Sequence, residues 1–242
     1  TSIPTSRPTT SYWEALYMES SIKLYSSSST DKSTSVNCRV MVEDSNKNVF
    51  LVGSSNADLD DTGSEVHHGN LDIIVVKYNS SGVQQWIKQY GTSEDDVGYS
   101  LAIDYLDNIY ITGTSYNGSD NDIVLRKLDN SDGTLIWSID LSSVGSDNDH
   151  GYGIITDNLG YVYVCGYTAG NLISPLTGFA NDDVFIVKYS ANGKLIWKRQ
   201  FGTLQNDQII YSSSLAVDDF HNIYLCGHTL GSLDINNSDN TN

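Results

Sequence analysis

The sequence predicts an all-β protein: a β-propeller of four-stranded blades with about four repeats visible. Either the ring is small and complete, or the chain is an incomplete part of a larger ring. Three observations predict this: a self-repeat of blade-sized period, runs of β-type residues bounded by turn formers, and turn glycines at fixed offsets. Four segments align without gaps: VEDSNKNVFLVGSS, AIDYLDNIYITGTS, ITDNLGYVYVCGYT and AVDDFHNIYLCGHT. In each, an aspartate (Asp44, Asp104, Asp157, Asp218) stands nine residues before a glycine (Gly53, Gly113, Gly166, Gly227). An aromatic residue (Phe50, Tyr110, Tyr163, Tyr224) stands six after each aspartate. In a second block Asp72, Asp122 and Asp183 lie five residues before Lys77, Lys127 and Lys188, and Trp86, Trp137 and Trp197 follow each lysine by nine or ten.

Each unit reads as four short strands. Runs such as SLAID, NIYITGTS, DIVLRKL and TLIWSI are β-branched and aromatic and are bounded by Asn, Asp, Ser and Gly. The turns NSSG, NSDG and SANG end in a glycine that supplies the positive φ of a tight hairpin. The recurring Asp fits an Asx-type turn, its carboxylate accepting nearby backbone N–H groups. The period of 53 to 61 residues matches a blade, and a two-sheet sandwich has no reason to repeat its sequence.

These residues resemble the SBBP family, the seven-bladed β-propeller repeat. The resemblance rests on Asp, then Gly-Asn-(Ile/Val)-Tyr-Val-x-Gly, then Asp-x-Phe-Val-x-Lys-Tyr, then Gly-x-x-x-Trp and Phe-Gly. DDVFIVKYSANGKLIWKRQFG, from Asp182 to Gly202, follows the pattern best. Asp107 stands where the family has Gly, and the second unit has Asp140-Leu141 in place of Phe-Gly. The resemblance spans roughly residues 36 to 229 and implies an extracytoplasmic repeat protein of undefined role.

On this reading residues 1–35 form a Ser/Thr-rich segment with a closing strand near Trp13. Residues 36–97, 98–149 and 150–207 are blades 1 to 3, and 208–242 a partial blade 4. With strands alternating in direction, first-to-second and third-to-fourth turns lie on one face and are short. Second-to-third and blade-to-blade connections lie on the other and are long. That long-loop face gathers the acidic clusters and four of the five histidines, His67, His68, His150 and His228. Function concentrates on long loops held by a rigid scaffold.

With 30 acidic against 13 basic residues the formal charge is −17, which repels phosphate backbones and argues against nucleic acid as a partner. No apolar run is long enough for a membrane span. Divalent cations or a basic protein suit the charge. Asp58, Asp60, Asp61 and Glu65 have the density of an oxygen-ligand Ca²⁺ loop without its full spacing, so Ca²⁺ is the one cofactor considered. Asn79, Asn117 and Asn236 head sequons for glycosylation. Cys165 and Cys226 occupy equivalent blade positions, so they should be buried and unbridged. The repeating lysines read as ion-pair partners of blade aspartates.

The functional reading is an extracellular, non-enzymatic structural or adhesive module. It would belong to a surface protein or filament and act through protein partners or self-assembly on its acidic long-loop face. A Ca²⁺- or glycan-binding propeller is the first alternative, and a propeller enzyme (lyase, hydrolase or quinoprotein-like) the second. An enzyme would be signalled by once-only His, Arg or Tyr residues converging on the channel, and no such cluster is legible.

Overall fold

The computed structural model describes residues 14–18, 21–25, 36–56, 59, 70–144, 147–173, 181–203, 205–209 and 211–231. Among them every regular element is a strand. A first hairpin pairs β1 (Glu14–Met18) with β2 (Ser21–Tyr25). Three four-stranded antiparallel sheets follow, each in sequence order. Blade 1 is β3 (Val36–Glu43), β4 (Val49–Ser55), β5 (Asp72–Tyr78) and β6 (Gln84–Tyr90). Blade 2 is β7 (Asp96–Ile103), β8 (Ile109–Tyr116), β9 (Asn121–Leu128) and β10 (Leu135–Leu141). Blade 3 is β11 (Asp149–Thr156), β12 (Val162–Thr168), β13 (Asp183–Tyr189) and β14 (Leu195–Phe201).

The blades stack face to face. First strands of neighbouring blades pack together, β3 on β7 and β7 on β11, while the largely exposed fourth strands lie outermost. The middle strands are buried on both sides, so β4, β5, β8 and β9 read as near-continuous apolar runs rather than alternating ones. The core lies between blades: Phe50, Val52, Ile73 and Val75 of blade 1 meet Leu101, Ile109 and Ile111 of blade 2. Tyr110, Ile123 and Leu125 of blade 2 meet Val162, Phe185 and Val187 of blade 3.

The repeated residues each have a physical task. Asp44, Asp104, Asp157 and Asp218 accept, through Oδ1, the backbone N–H groups two and four residues on, at 2.8–3.0 Å. The Asx turn therefore forms in all four units. The six-residue spacing places Tyr110, Tyr163 and Tyr224 to donate to the Oδ2 of the same aspartate at 2.9–3.1 Å. Phe50 has no hydroxyl, and there Asn130 Nδ2 donates in its place, beside Asn48 Nδ2, whose counterparts Asn108 and Asn222 make the same bond in their own units. The fourth turn position has positive φ throughout: Lys47 (64°), Asp107 (60°), Gly160 (79°) and His221 (63°). Gly82, Gly133 and Gly193 close the third-to-fourth turns at φ 72–76°.

A β-bulge in each first strand explains the repeated glycine. Pairing skips a residue between Cys38 and Val40, Gly98 and Ser100, and Gly151 and Gly153. The carbonyl before each bulge turns toward the second strand, so a Cβ at Gly53, Gly113 or Gly166 would overlap Asn37 O, Val97 O or His150 O. The Phe-Gly motif has a similar cause. A Cβ at Gly91 or Gly202 would overlap the carboxylate of Asp72 or Asp183.

Blade 4 departs from the pattern. Asp207 lies eleven residues before Asp218, whereas Asp96 and Asp149 lie eight before Asp104 and Asp157. The excess splits the first strand into β15 (Asp207–Gln208) and β16 (Leu215–Val217). These pair with β18 (His228–Thr229) and β17 (Ile223–Leu225). Two expectations need correction. Cys165 and Cys226 are unbridged, but Cys226 is exposed where Cys165 is buried: Cys165 packs with Tyr163, Ile186, Ile209 and Leu215 in an apolar cluster that does not reach Cys226. Among the described residues, Lys188 makes the predicted ion pair, with Asp157 at 3.9 Å. Lys77 and Lys127 instead donate to the next blade's turn, at Asn130 O and Oδ1 (2.8 and 2.6 Å) and at Ala191 O (3.2 Å). Trp86 and Trp137 Nε1 reach the same two carbonyls. Each lysine also lies over the repeat aromatic ring, Phe50, Tyr110 or Tyr163, at 4.8–5.3 Å.

Candidate functional site

The faces sort by loop type. The short turns 44–48, 104–108, 157–161 and 218–222 lie at one end of the strands with the third-to-fourth turns. At the other end, second-to-third and blade-to-blade connections interlock through backbone bonds: Asp96 N to Leu71 O (2.7 Å), Tyr116 N to Asp95 O (3.0 Å), Ala169 N to Asn148 O (2.9 Å) and Leu230 N to Asn206 O (3.1 Å). The blade-to-blade segments are 91–95, 142–148 and 202–206. Asp95 and Asn148 are exposed there, and Glu94 and Asp147 half-exposed.

Below this face lies a row of buried aspartates at the junctions between blades. Asp149 and Asp183 are fully buried. Burial pushes Asp149 up to about 6, the charge of Asp122 adding to it against hydrogen bonds from Thr168 and Ser143. Burial likewise pushes Asp183 up to about 7, with Asp207 and Asp182 adding and the Gln200 hydrogen bond opposing. The Oδ1 atoms of Asp149, Asp183 and Asp207 receive no hydrogen bond, while their Oδ2 atoms accept from Ser143 N (2.6 Å), Gln200 Nε2 (2.8 Å) and Thr203 N (2.5 Å). At the first junction the buried Arg126 guanidinium lies 5.6 Å from the Tyr90 ring. Burial lowers its pKa, and Asp96, Asp140, Tyr90 and Asp72 hold its charge against that.

The sequence reading missed a cluster on the inner strands. The three bulged residues are Arg39, Tyr99 and Tyr152, each five before its turn aspartate. A bulge re-aims its side chain, and here three blades aim at one another. The Arg39 guanidinium lies 4.7 Å over the Tyr99 ring, and the Tyr99 and Tyr152 rings are 4.3 Å apart. Tyr167 stacks on Tyr152 at 5.9 Å, and His150 packs 4.8 Å from Tyr167. His150 Nδ1 lies 3.1 Å from Thr114 Oγ1 of the preceding blade. Burial raises the pKa of Tyr99, Tyr152 and Tyr167 and lowers that of His150, whereas Asp182 pulls His150 back up. Near neutral pH the cluster presents protonated phenols, neutral imidazole and one cation, a set suited to binding. Its sequence signal was weak: Tyr99 and Tyr152 share one repeat column, while His150 and Tyr167 stand in columns that hold Val97 and Thr114 in blade 2.

Of the predicted site residues, Asp58, Asp60, Asp61, Glu65, His67, His68 and Asn236 lie outside the described residues. Among the described residues no group of three or more His, Cys, Asp or Glu side chains converges to hold a metal. Asn79 Oδ1 caps its own turn through Ser81 N and Val83 N at 3.0 and 2.9 Å. Asn117 is exposed, but its Nδ2, the atom a glycan would occupy, donates to Asp120 and Asp122.

The family comparison agrees with this architecture. The family model for the SBBP beta-propeller repeat matches residues 85–119, 136–173 and 196–234. Each matched segment runs from a fourth strand into the second strand of the next unit, so the family pattern frames the junction between blades. No curated protein matches the chain. Among solved structures, BamB from Moraxella catarrhalis aligns at 10% identity and a TM-score of 0.18, over 73% of this chain and 80% of that one.

Proposed function

We propose that this chain of SBBP beta-propeller repeats is an extracellular structural or adhesive module, one that joins a basic protein partner through its long-loop face. The β-propeller repeat suggests a protein-interaction module at the coarse level. The observation that carries the finer reading is the sorting of connections. Among the described residues, second-to-third and blade-to-blade segments emerge at one end, tied together by backbone hydrogen bonds, so the loops ride on a rigid platform. Asp95, Glu94 and Asp147 lie on that end of a chain with net charge −17, which favours a basic surface and speeds its encounter.

The test is hydrogen–deuterium exchange on the assembly purified from its source, against the isolated chain. Protection should appear in segments 117–120, 142–148 and 202–206. Protection confined to turns 44–48, 104–108 and 157–161 would place the partner on the opposite face and overturn the proposal.

A further inference from the structure

Among the described residues two parts of the chain form two-stranded sheets in place of complete blades: the first hairpin and blade 4. By register the hairpin is the outer half of a blade. β2 continues into Ser26 as Ser-Ile-Lys-Leu-Tyr-Ser, and Ile22, Lys23 and Tyr25 repeat Ile87, Lys88 and Tyr90 of the fourth strand β6. Its ladder with β1 runs as β6 runs with the third strand β5. Glu14 with Tyr25 through Met18 with Ser21 matches Ile73 with Tyr90 through Lys77 with Trp86, pair for pair. Tyr25 stands 19 residues before Asp44, where Tyr90, Leu141 and Phe201 stand 14, 16 and 17 before the next turn aspartate. Met18 takes the place of the repeat lysine. Blade 4 is the inner half. Its strands occupy the first and second places, and the sequence brings no third-strand block after them, since Asp234-Ile235 is followed by Asn236, Asn237 and Ser238.

We propose that the β1–β2 hairpin of a second copy of this chain adds to blade 4 as its third and fourth strands. Among the described residues no strand pairs with the outer edge of β17 and β18, and such an edge is a template for another chain's strand. Apolar surface also stands open there. Tyr224 is 57% exposed, whereas its counterparts Phe50, Tyr110 and Tyr163 in the complete blades are 0–1% exposed. Leu225 and Cys226 line a cleft with Val184, Phe201 and Ile209. The register of β12 on β13, carried to blade 4, sets Met18 opposite Tyr224, Leu16 opposite Cys226 and Glu14 opposite His228. The hairpin is joined in sequence to blade 1, and the apolar clusters run from blade 1 to blade 2, to blade 3, to blade 4. Hairpin and blade 4 thus belong to opposite ends of one stack, and the occupant is a second copy. Two chains of net charge −17 repel, so this contact tightens as salt screens them, whereas a basic partner on the long-loop face is loosened. The two contacts are independent of each other.

The experiment is disulfide trapping in the full chain, using the exposed native thiol of Cys226. Leu16→Cys sets a second thiol opposite it, and Cα atoms paired across antiparallel strands lie about 4.5–5.5 Å apart, within disulfide reach. Mild oxidation should give a covalent species of two or more chains on a non-reducing gel, with peptide mapping joining positions 16 and 226. Adding Cys226→Ser should abolish that species. Tyr17→Cys, one place along and on the other face of the strand, should lose most of it. Light scattering on the unaltered chain should give the mass of two or more chains, and the associated fraction should rise with salt. A 16–226 bond confined to single chains, no such bond in the folded variant, or equal trapping from Tyr17→Cys would each overturn the proposal. So would a single-chain mass of the unaltered protein at every concentration.

Discussion

Asp183 shows how one residue couples motif, packing and pH. Its carboxylate occupies the place where a side chain at position 202 would begin, so the glycine of Phe-Gly is there to leave room. Gly202→Ala should therefore cost about 2 kcal/mol or more, as an overpacked junction does. Combining it with Asp183→Ala should recover part of that loss in urea denaturation, because the smaller side chain clears the overlap. The same burial holds the Asp183 carboxyl protonated up to about 7. In the unfolded chain it ionises near 4, so between about pH 4 and 7 the folded state holds the extra proton. Stability contributed by this group is thus present at low pH and lost as pH rises through 7. Asp149 behaves alike, up to about 6. Thermal midpoints should fall between pH 5.5 and 8, and Asp183→Asn should flatten that slope. A midpoint that rises over this range would contradict the buried, protonated Asp183.

At the scale of an element, the third-to-fourth turn is the part that binds one blade to the one before it. Asn130 and Ala191 offer carbonyls to Lys77 and Lys127 of the preceding blade, and each lysine is sandwiched against its repeat aromatic. Lys188 has no such turn among the described residues of blade 4 and leans on Tyr161 (3.8 Å) and Asp157 instead. Lys127→Met should therefore destabilise by about 1–2 kcal/mol, and Lys188→Met by less, since only the first loses a charged hydrogen bond to the next blade's turn. Equal losses would show that the turn contact contributes nothing. These elements also show what can be read from sequence. The Asx turns, the hairpin glycines and the strand periodicity were legible because each depends on residue type at a local spacing. The lysine contacts were not, since a backbone carbonyl one blade away leaves no mark in the sequence. The split first strand of blade 4 was legible in principle, in the three extra residues between Asp207 and Asp218. The inner-strand cluster escaped because the bulge that aims Arg39, Tyr99 and Tyr152 is a backbone feature, visible only through the glycine it requires.

At the scale of the whole molecule, repeated junctions turn a one-dimensional repeat into a stacked scaffold with two unlike ends. The buried faces of successive sheets meet as one core, and the lysine–turn contacts fix their relative register. That register gathers the long connections at one end and brings the bulged residues of three blades together at the inner strands. Phe220, Tyr224 and Leu230 are exposed, and a cleft of about 180 Å³ lined by Val184, Phe201, Ile209 and Leu225 opens beside blade 3. Everything functional in this account depends on successive blades packing as described, and one pair of side chains reports on that packing. Lys77 and Asn130 lie 53 residues apart, in different blades, and meet at 2.6 Å. A double-mutant cycle of Lys77→Met and Asn130→Ala, read by chemical denaturation, measures their coupling. Blade-on-blade stacking predicts a favourable coupling of about 1 kcal/mol. Strictly additive effects in two folded single variants would contradict it.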